Sequence, residues 1–521
     1  MASEAEGGGR SGGVAGDAGA GGDGGARVRA GGARGGASLG DLPEHLVAEI
    51  VRRLPVRARA RASAACRGWR DLLEPAGEPG LWRRADALEL LSEYHGELLG
   101  ATLAWGGLLR ARGVHVRELS LRGFRTPAPA MLFEPFRTAE LPHLVSCDLS
   151  GSSAGGEVVY WALVQCPGLL ELNADDCDLD ADSSWVDQMG WYLDKERSVM
   201  GRTVTFVLRE LRLRNCFRSG AALNKFLAIV GQACPDLEGL ALGWEPRVLS
   251  LGAPGAWGGA RCAVLGGLRG FHRQRLGSLS LSGCAALRDL ELAGLLRVSG
   301  RSLHSLNLAN CSQVSGHGLA QLDSPHLDTL NLQNLWNVPG PTFSRLLSQN
   351  PQLVRLSFAW TDVRTTDLEA GLPACRHLRA LDLSGCARVE AARLPELLRG
   401  QRGLSDLGCG GTAGLTDETL RLLLRDHPGV RALGLVHSPG LTEQSLGALP
   451  ALCPRLESVC LTGNPQLGPD AVLALTANLS LKRVGAADMG WAGGRAAEAE
   501  EKLKSLRGPN PNPWTHMAET W

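Results

Sequence analysis

The chain has 521 residues, with 54 basic and 54 acidic side chains and a formal net charge of zero. That length exceeds a single compact core, so several domains or a repeat array are required. The charge balance argues against nucleic acid or an anionic membrane as the main partner.

Residues 1–38 are mostly Gly and Ala with scattered Arg. They bury too little apolar surface to offset chain entropy, so this segment is expected to be disordered. Arg27, Arg29 and Arg34 read as part of a solvated linker.

Order begins at SLGDLPEHLVAEIVRRLP, residues 38–55. Ser38 or Asp41 caps a helix, and Pro43 suits its first turn. Leu46, Ile50 and Leu54 fall at i, i+4 and i+8, with Val47 and Val51 beside them, which makes one apolar stripe. Pro55 ends the helix. A second helical stretch, 57–73, sets Ala62, Ala65, Cys66, Trp69 and Leu73 on one side and Arg on the other; Leu81 and Trp82 follow a Pro/Gly turn. Leu42-Pro43, Ile50, Leu54-Pro55, Cys66, Trp69-Arg70 and Leu81-Trp82 together resemble the F-box family in order and spacing, over about 39–85. The second helix departs from the family's usual Leu and Val, having Arg59, Ala60, Ala62, Ala64 and Ala65 instead. Smaller side chains bury less area, at roughly 25 cal/mol per Å². A weaker grip on a partner is therefore expected.

Residues 86–115 read as a helical connector. Beyond them, fourteen segments follow the pattern Leu-x-x-Leu-x-Leu-x-x-Cys or close to it, beginning at Val116, Leu144, Leu169, Leu208, Leu237, Leu276, Leu303, Leu327, Leu353, Leu378, Leu404, Val430, Leu456 and Leu481. From Leu276 onward the steps are 27, 24, 26, 25, 26, 26, 26 and 25. A fixed period of this size means one supersecondary unit stacked on itself. The three Leu positions alternate as a short strand with one buried face requires. The remainder of each unit carries helix signals, clearest in LTDETLRLLLRDHPGV (415–430). There Thr416 caps, Asp417 and Glu418 suit the helix start, Leu420, Leu423 and Leu424 face inward, and Pro428 closes.

Cys177, Cys216, Cys284, Cys311 and Cys386 take the ninth position of a repeat, and Cys166, Cys234, Cys375 and Cys453 sit three residues before one. Recurrence in phase marks them as small buried apolar groups rather than disulfide partners. This cysteine pattern resembles the cysteine-containing subclass of leucine-rich repeats, which is commonly found behind an F-box. No leader or membrane-spanning run is evident, so a reducing compartment, cytoplasm and/or nucleus, is expected.

Two steps are long, 169 to 208 and 237 to 276. The extra residues fall around 181–204 and 244–262. They are candidate ligand-contacting loops; the plainer alternatives are a longer convex helix and a glycine loop. After 490, RAAEAEEKLKSLR (495–507) suits a polar cover for the end of the array. The tail with Trp514 and Trp521 has a docking peptide as its alternative reading.

No phosphate loop, zinc motif or nucleophile motif occurs. Asp175 and Asp176 sit where polar residues belong in a repeat, so catalysis, a metal and a cofactor are not expected. What remains is a surface. Positions three, five and seven should point to the concave sheet face. They place Asp175, Arg212, Arg214, Asn307, Asn331, Gln333, Arg355 and Asp382 there, with Ser278, Ser280 and Ser282 in the middle. Trp244 and Trp360, at position eight, mark its edge. Trp and Arg commonly anchor binding hot spots, so these residues are the candidate substrate contacts.

The fold class expected is an α/β leucine-rich-repeat solenoid, a horseshoe of about 14 repeats over 116–490, preceded by an all-α F-box at 39–85 and followed by a cap and tail at 491–521. The resemblance implies a non-catalytic substrate-recognition subunit of a Skp–cullin–F-box ubiquitin ligase. Leu42, Pro43, Leu46, Ile50, Leu54, Pro55, Trp69, Leu81 and Trp82 would bind a Skp-type adaptor, and through it a cullin–RING ligase. The concave repeat face would hold the protein to be ubiquitinated. A small-molecule-dependent F-box co-receptor and a ligase-independent scaffold are the alternatives.

Overall fold

The computed structural model describes residues 83–87, 98–126, 129–138, 141–217, 220–243, 266–271, 274–478, 481–491 and 494–506. The glycine-rich segment 1–38, the helical stretches expected within 39–82 and the tail beyond 506 lie outside the described residues.

Fifteen short strands form one parallel sheet in strict sequence order. They are β1 (Arg84–Asp86), β2 (Glu118–Ser120), β3 (Ser146–Asp148), β4 (Glu171–Asn173), β5 (Glu210–Arg214), β6 (Gly239–Gly243), β7 (Ser278–Ser282), β8 (Ser305–Asn307), β9 (Thr329–Asn331), β10 (Arg355–Ser357), β11 (Ala380–Asp382), β12 (Asp406–Gly408), β13 (Ala432–Gly434), β14 (Ser458–Cys460) and β15 (Arg483–Gly485). Helices or 3-10 turns connect most of them, so each unit is strand, turn, helical return, strand. This is a leucine-rich-repeat solenoid.

The register puts like positions in columns. Leu306, Leu330, Leu356, Leu381 and Leu407 pair in turn across β8 to β12. All five are fully buried. The flanking first and sixth positions, such as Leu303 and Leu308, are buried with them. The helix expected within 415–430 runs Asp417–Arg425, with Thr416 Oγ1 accepting from the Thr419 N–H at 3.4 Å. Its inward Leu420, Leu423 and Leu424 are buried.

Three features differ from the sequence expectation. The sheet starts one strand earlier than position 116, because Arg84–Asp86 pairs with Glu118–Ser120. The helix expected in the connector, Leu98–Arg112, is therefore the helical return of that first unit. Alanines (Ala85 and Ala87) occupy this unit's inward strand positions, both buried, so no leucine pattern revealed it. Next, the cysteines at position nine are not merely apolar fillers. The Sγ–H of Cys177, Cys311 and Cys386 each donates to the position-six carbonyl of the preceding repeat, on Leu149, Leu281 and Phe358, at 3.0 Å in every case. Burial pushes Cys311 and Cys386 up to about 12, which keeps the proton they donate. Where position nine is Asn464, its Nδ2–H makes the equivalent bond to the Leu435 carbonyl at 2.6 Å. Lastly, position eight has left-handed backbone in every described repeat, from Gly123 and Asp176 through Asn310 and Asn334 to Gly463 and Asp488. Gly, Asn and Asp tolerate that conformation best.

The long step after β4 is a 16-residue helix, Ser184–Val199, as the plainer reading had it. The insert at 244–262 lies outside the described residues. At the far end, helix Gly494–Leu506 buries Ala496, Ala499 and Leu503. A polar helix with one apolar edge is what covers the open end of a solenoid.

His427 occupies the place, three residues before a repeat, that cysteine holds elsewhere. It is 2% exposed, and neither ring nitrogen has a hydrogen bond of normal geometry. Burial pulls its pKa below the usual 6.5, against weaker opposite pulls from Asp426 and the Gln401 backbone.

Two consequences follow for stability. Leu381→Ala should cost ~2–5 kcal/mol in denaturant unfolding, the range for a buried leucine whose site collapses only partly; a change within error would displace the column assignment. For His427, the unfolded chain binds a proton more readily than the native one, so its neutral burial is compatible with folding above pH 6.5 and opposes folding as pH falls below it. Thermal unfolding of His427→Gln should lose less stability between pH 7 and 5 than the parent does, and equal losses would show that His427 does not titrate on unfolding.

Candidate functional site

The concave sheet face takes its relief from side-chain size. β6 and β7 present Gly239, Ala241, Ser278 and Ser280, all small. Their neighbours on β5 and around β9 and β10 are long. The result is a hollow of about 280 Å³ floored by Ala241, Ser278 and Ser280. Its wall on β5 is Glu210, Arg212 and Arg214; the opposite rim carries His304, Asp328 and Arg355.

A Cβ at 239 would meet the carboxylate of Glu210, which leans across β6 and, as the end of a flexible side chain, would have to swing aside. Burial raises the Glu210 pKa, with Arg212 pulling the other way. Arg214 is fixed from beneath: its Nε–H donates to Asp175 Oδ2 at 2.9 Å and its backbone N–H to Oδ1 at 2.6 Å. Both side chains of this pair are largely buried, at 17% and 10% exposure. Burial raises the Asp175 pKa, opposed by Arg214. Ser280 is 7% exposed, and its Oγ has no hydrogen-bond partner among the described residues.

The fold thus brings Arg212, Arg214 and Arg355 to one hollow, with Asp175 holding Arg214 in place. It treats the other candidates differently. Asn307 and Asn331 are 2% and 4% exposed. Their Oδ1 atoms accept from the N–H two residues on, at Ala309 and Gln333, 3.1 and 3.0 Å away. Asp382 does the same with Ser384 at 2.9 Å and lies buried against the backbone of Gly408. Burial raises its pKa. These three side chains close their own turns, a local hydrogen bond typical of Asn and Asp, and expose little of themselves on the sheet face. Gln333 is half-buried and outside the hollow. Trp360 adopts φ 56°, rare for a bulky residue. Its ring occupies the space over Gly385 and meets His437 edge-on at 5.8 Å, so it packs along the turn edge rather than in the hollow. Trp244 and all nine adaptor candidates (Leu42, Pro43, Leu46, Ile50, Leu54, Pro55, Trp69, Leu81 and Trp82) lie outside the described residues.

Sequence reasoning missed Glu210, His304 and Asp328. Glu210 is at position three, and a column-by-column size comparison would have found it opposite Gly239. His304 and Asp328 are at position two, which a flat strand model sends away from this face.

Repeat geometry alone defines a leucine-rich-repeat solenoid protein. Comparison with known proteins adds the other half. Residues 39–87 match the F-box-like family model. The F-box protein GID2 of rice (Oryza sativa subsp. japonica) is 37% identical over 89 residues, which are 17% of this chain and 41% of that protein. The chain therefore matches well under two thirds of that relative's length. Among solved structures, Rad7 in its yeast complex with Elc1 is similar with a TM-score of 0.46 at 16% identity, over 84% of this chain and 96% of that one. The internalin InlF of Listeria monocytogenes gives 0.38 at 13%, over 78% and 98%. The chain thus carries an F-box-like segment at residues 39–87 and a leucine-rich-repeat solenoid.

Removing one member of a buried ion pair strands the other. Asp175→Ala should therefore lower unfolding stability by about 1–3 kcal/mol, whereas Arg212→Ala, on an exposed side chain, should stay within about 0.5 kcal/mol of the parent. Equal effects in chemical denaturation would mean that Asp175 does not anchor Arg214.

Proposed function

We propose that this protein is the substrate-recognition subunit of a Skp–cullin–F-box-type ubiquitin ligase, in which residues 39–87 bind the adaptor and the concave face of the solenoid holds the protein to be modified. The observation that carries the reading is the F-box-like match placed ahead of an extended repeat sheet. The polar-lined hollow on that sheet supports the reading as the surface where a substrate would sit.

The chain itself would do no bond chemistry. Its contribution is proximity: a tethered substrate meets the charged conjugating enzyme at high effective concentration. Adaptor binding would rest on the Leu46, Ile50 and Leu54 stripe and on Trp69. Assembly with a cullin would put the protein in the cytoplasm, the nucleus or both.

Affinity capture of the intact chain beside Ile50→Asp tests this. Adaptor and cullin should accompany the parent and be lost from the variant, because a carboxylate in an apolar helix face costs several kcal/mol to bury. Equal recovery of the adaptor with Ile50→Asp, or no adaptor with either, would remove the ligase assignment and leave the scaffold reading.

A further inference from the structure

The β5 side of the hollow contains one compact group of side chains whose hydrogen-bonding capacity is unused. It is centred on Ala241. The register sets Arg212 of β5 beside Ala241 of β6, and Ala241 beside Ser280 of β7. Neighbouring strands lie about 4.8 Å apart, so Arg212 and Ser280 stand on either side of a single methyl group. Glu210 completes the group from the strand start. It precedes Arg212 by two residues on the same face, and its carboxylate reaches over Gly239, two residues before Ala241. Glu210, Arg212, Ala241 and Ser280 all line the hollow. The rim residues His304, Asp328 and Arg355 belong to the units of β8, β9 and β10, two to four strands beyond Ala241.

Arg214 is already bound to Asp175; the group around Ala241 is not so committed. Ser280 Oγ is buried and has no hydrogen-bond partner among the described residues. Nor do the Glu210 carboxylate and the Arg212 guanidinium make a hydrogen bond or an ion pair among them. A buried hydroxyl left in this state costs free energy, which a ligand's hydrogen bond would recover.

The same groups restrict what that ligand can be. A guanidinium only donates, a carboxylate accepts through its oxygens, and a hydroxyl does both. One cation and one carboxylate balance, so a charged ligand group attracted by either is opposed by the other. An apolar group would strip water from three polar side chains and satisfy none of them. A carboxamide is uncharged and sets an acceptor oxygen beside an N–H donor, which matches the donor, the acceptor and the hydroxyl together.

We propose that the hollow takes the carboxamide of a Gln or Asn side chain in an extended protein substrate, seated over Ala241, accepting from Arg212, donating to Glu210 and bonded to Ser280. This rests on the reading of the solenoid as a substrate receptor, and it specifies the chemistry that the receptor selects.

The test is an array of decapeptides probed with the full chain. Each peptide has one fixed central residue (Gln, Asn, Glu, Asp, Lys, Leu or phosphoserine) within randomised flanks. Gln and Asn spots should retain about threefold to tenfold more protein than the others, the range for one or two neutral hydrogen bonds. Ser280→Ala should lower the Gln and Asn spots to the level of the rest, and Arg212→Glu should move the preference to Lys. Ala241→Leu, which fills the seat from a half-buried position, should also abolish the preference, and it decides the matter if Ser280→Ala lowers the melting temperature. Equal retention on all fixed residues, stronger retention on any residue other than Gln or Asn, no retention anywhere, or a preference that survives both Arg212→Glu and Ala241→Leu would each overturn the proposal. Ile50→Asp should leave the array pattern intact. Loss of adaptor capture from the parent would thus strike the ligase assignment alone, and a flat array would strike the carboxamide seat alone.

Discussion

Everything in the solenoid depends on how one repeat hands its backbone to the next. The strand at positions three to five pairs with its neighbours, and the chain must then turn sharply without leaving carbonyls unpaired in the interior. Left-handed backbone at position eight makes the turn. Where position nine is Cys177, Cys216, Cys311, Cys386 or Asn464, its thiol or amide donates to the position-six carbonyl one repeat back, whereas Thr361 and Thr412 donate to the position-six carbonyl of their own repeat. A buried carbonyl left without a donor costs free energy on the order of 1–3 kcal/mol. The same small set of donors therefore recurs along the array. The leucine columns contribute the bulk of the burial, and the turn fixes their phase.

That constraint also explains where the molecule is free to vary. Asn307, Asn331 and Asp382 are polar and on the concave side, yet each is committed to the amide two residues on. Variation is left to positions whose side chains clear the turn. On β6 and β7 those positions are Gly, Ala and Ser, and on β5 they are Glu and Arg. The hollow is the step between these two sizes. Its Arg214 is held by a carboxylate from the previous repeat, so a stacked architecture gives a long, flexible side chain a fixed place.

The chain carries an F-box-like segment at residues 39–87 and, along the solenoid, a sheet face on which β5 contributes Glu210, Arg212 and Arg214 to one hollow.

The sequence by itself determined the period, the strand and helix of each unit, the F-box resemblance and the inward leucines, because these are local or periodic. A motif such as LHSLNLANC (303–311) states its own alternation, and Thr416 states its own helix start. The left-handed backbone at position eight was only partly legible, since most repeats have Gly, Asn or Asp there but Trp360 and His437 adopt it too. What the sequence did not disclose were relations across repeats. The alanine-lined β1 lacks the leucines that mark a repeat, and only its pairing with β2 shows it to be one. That Cys386 donates to Phe358, that Asp175 belongs to Arg214, and that Glu210 lies over Gly239 are contacts between residues 28 to 39 apart in the chain. Which polar side chains are spent within the scaffold and which face a ligand is decided by such stacking contacts. Only the tertiary structure contains them, because a residue's neighbour in the next repeat is set by register rather than by sequence adjacency.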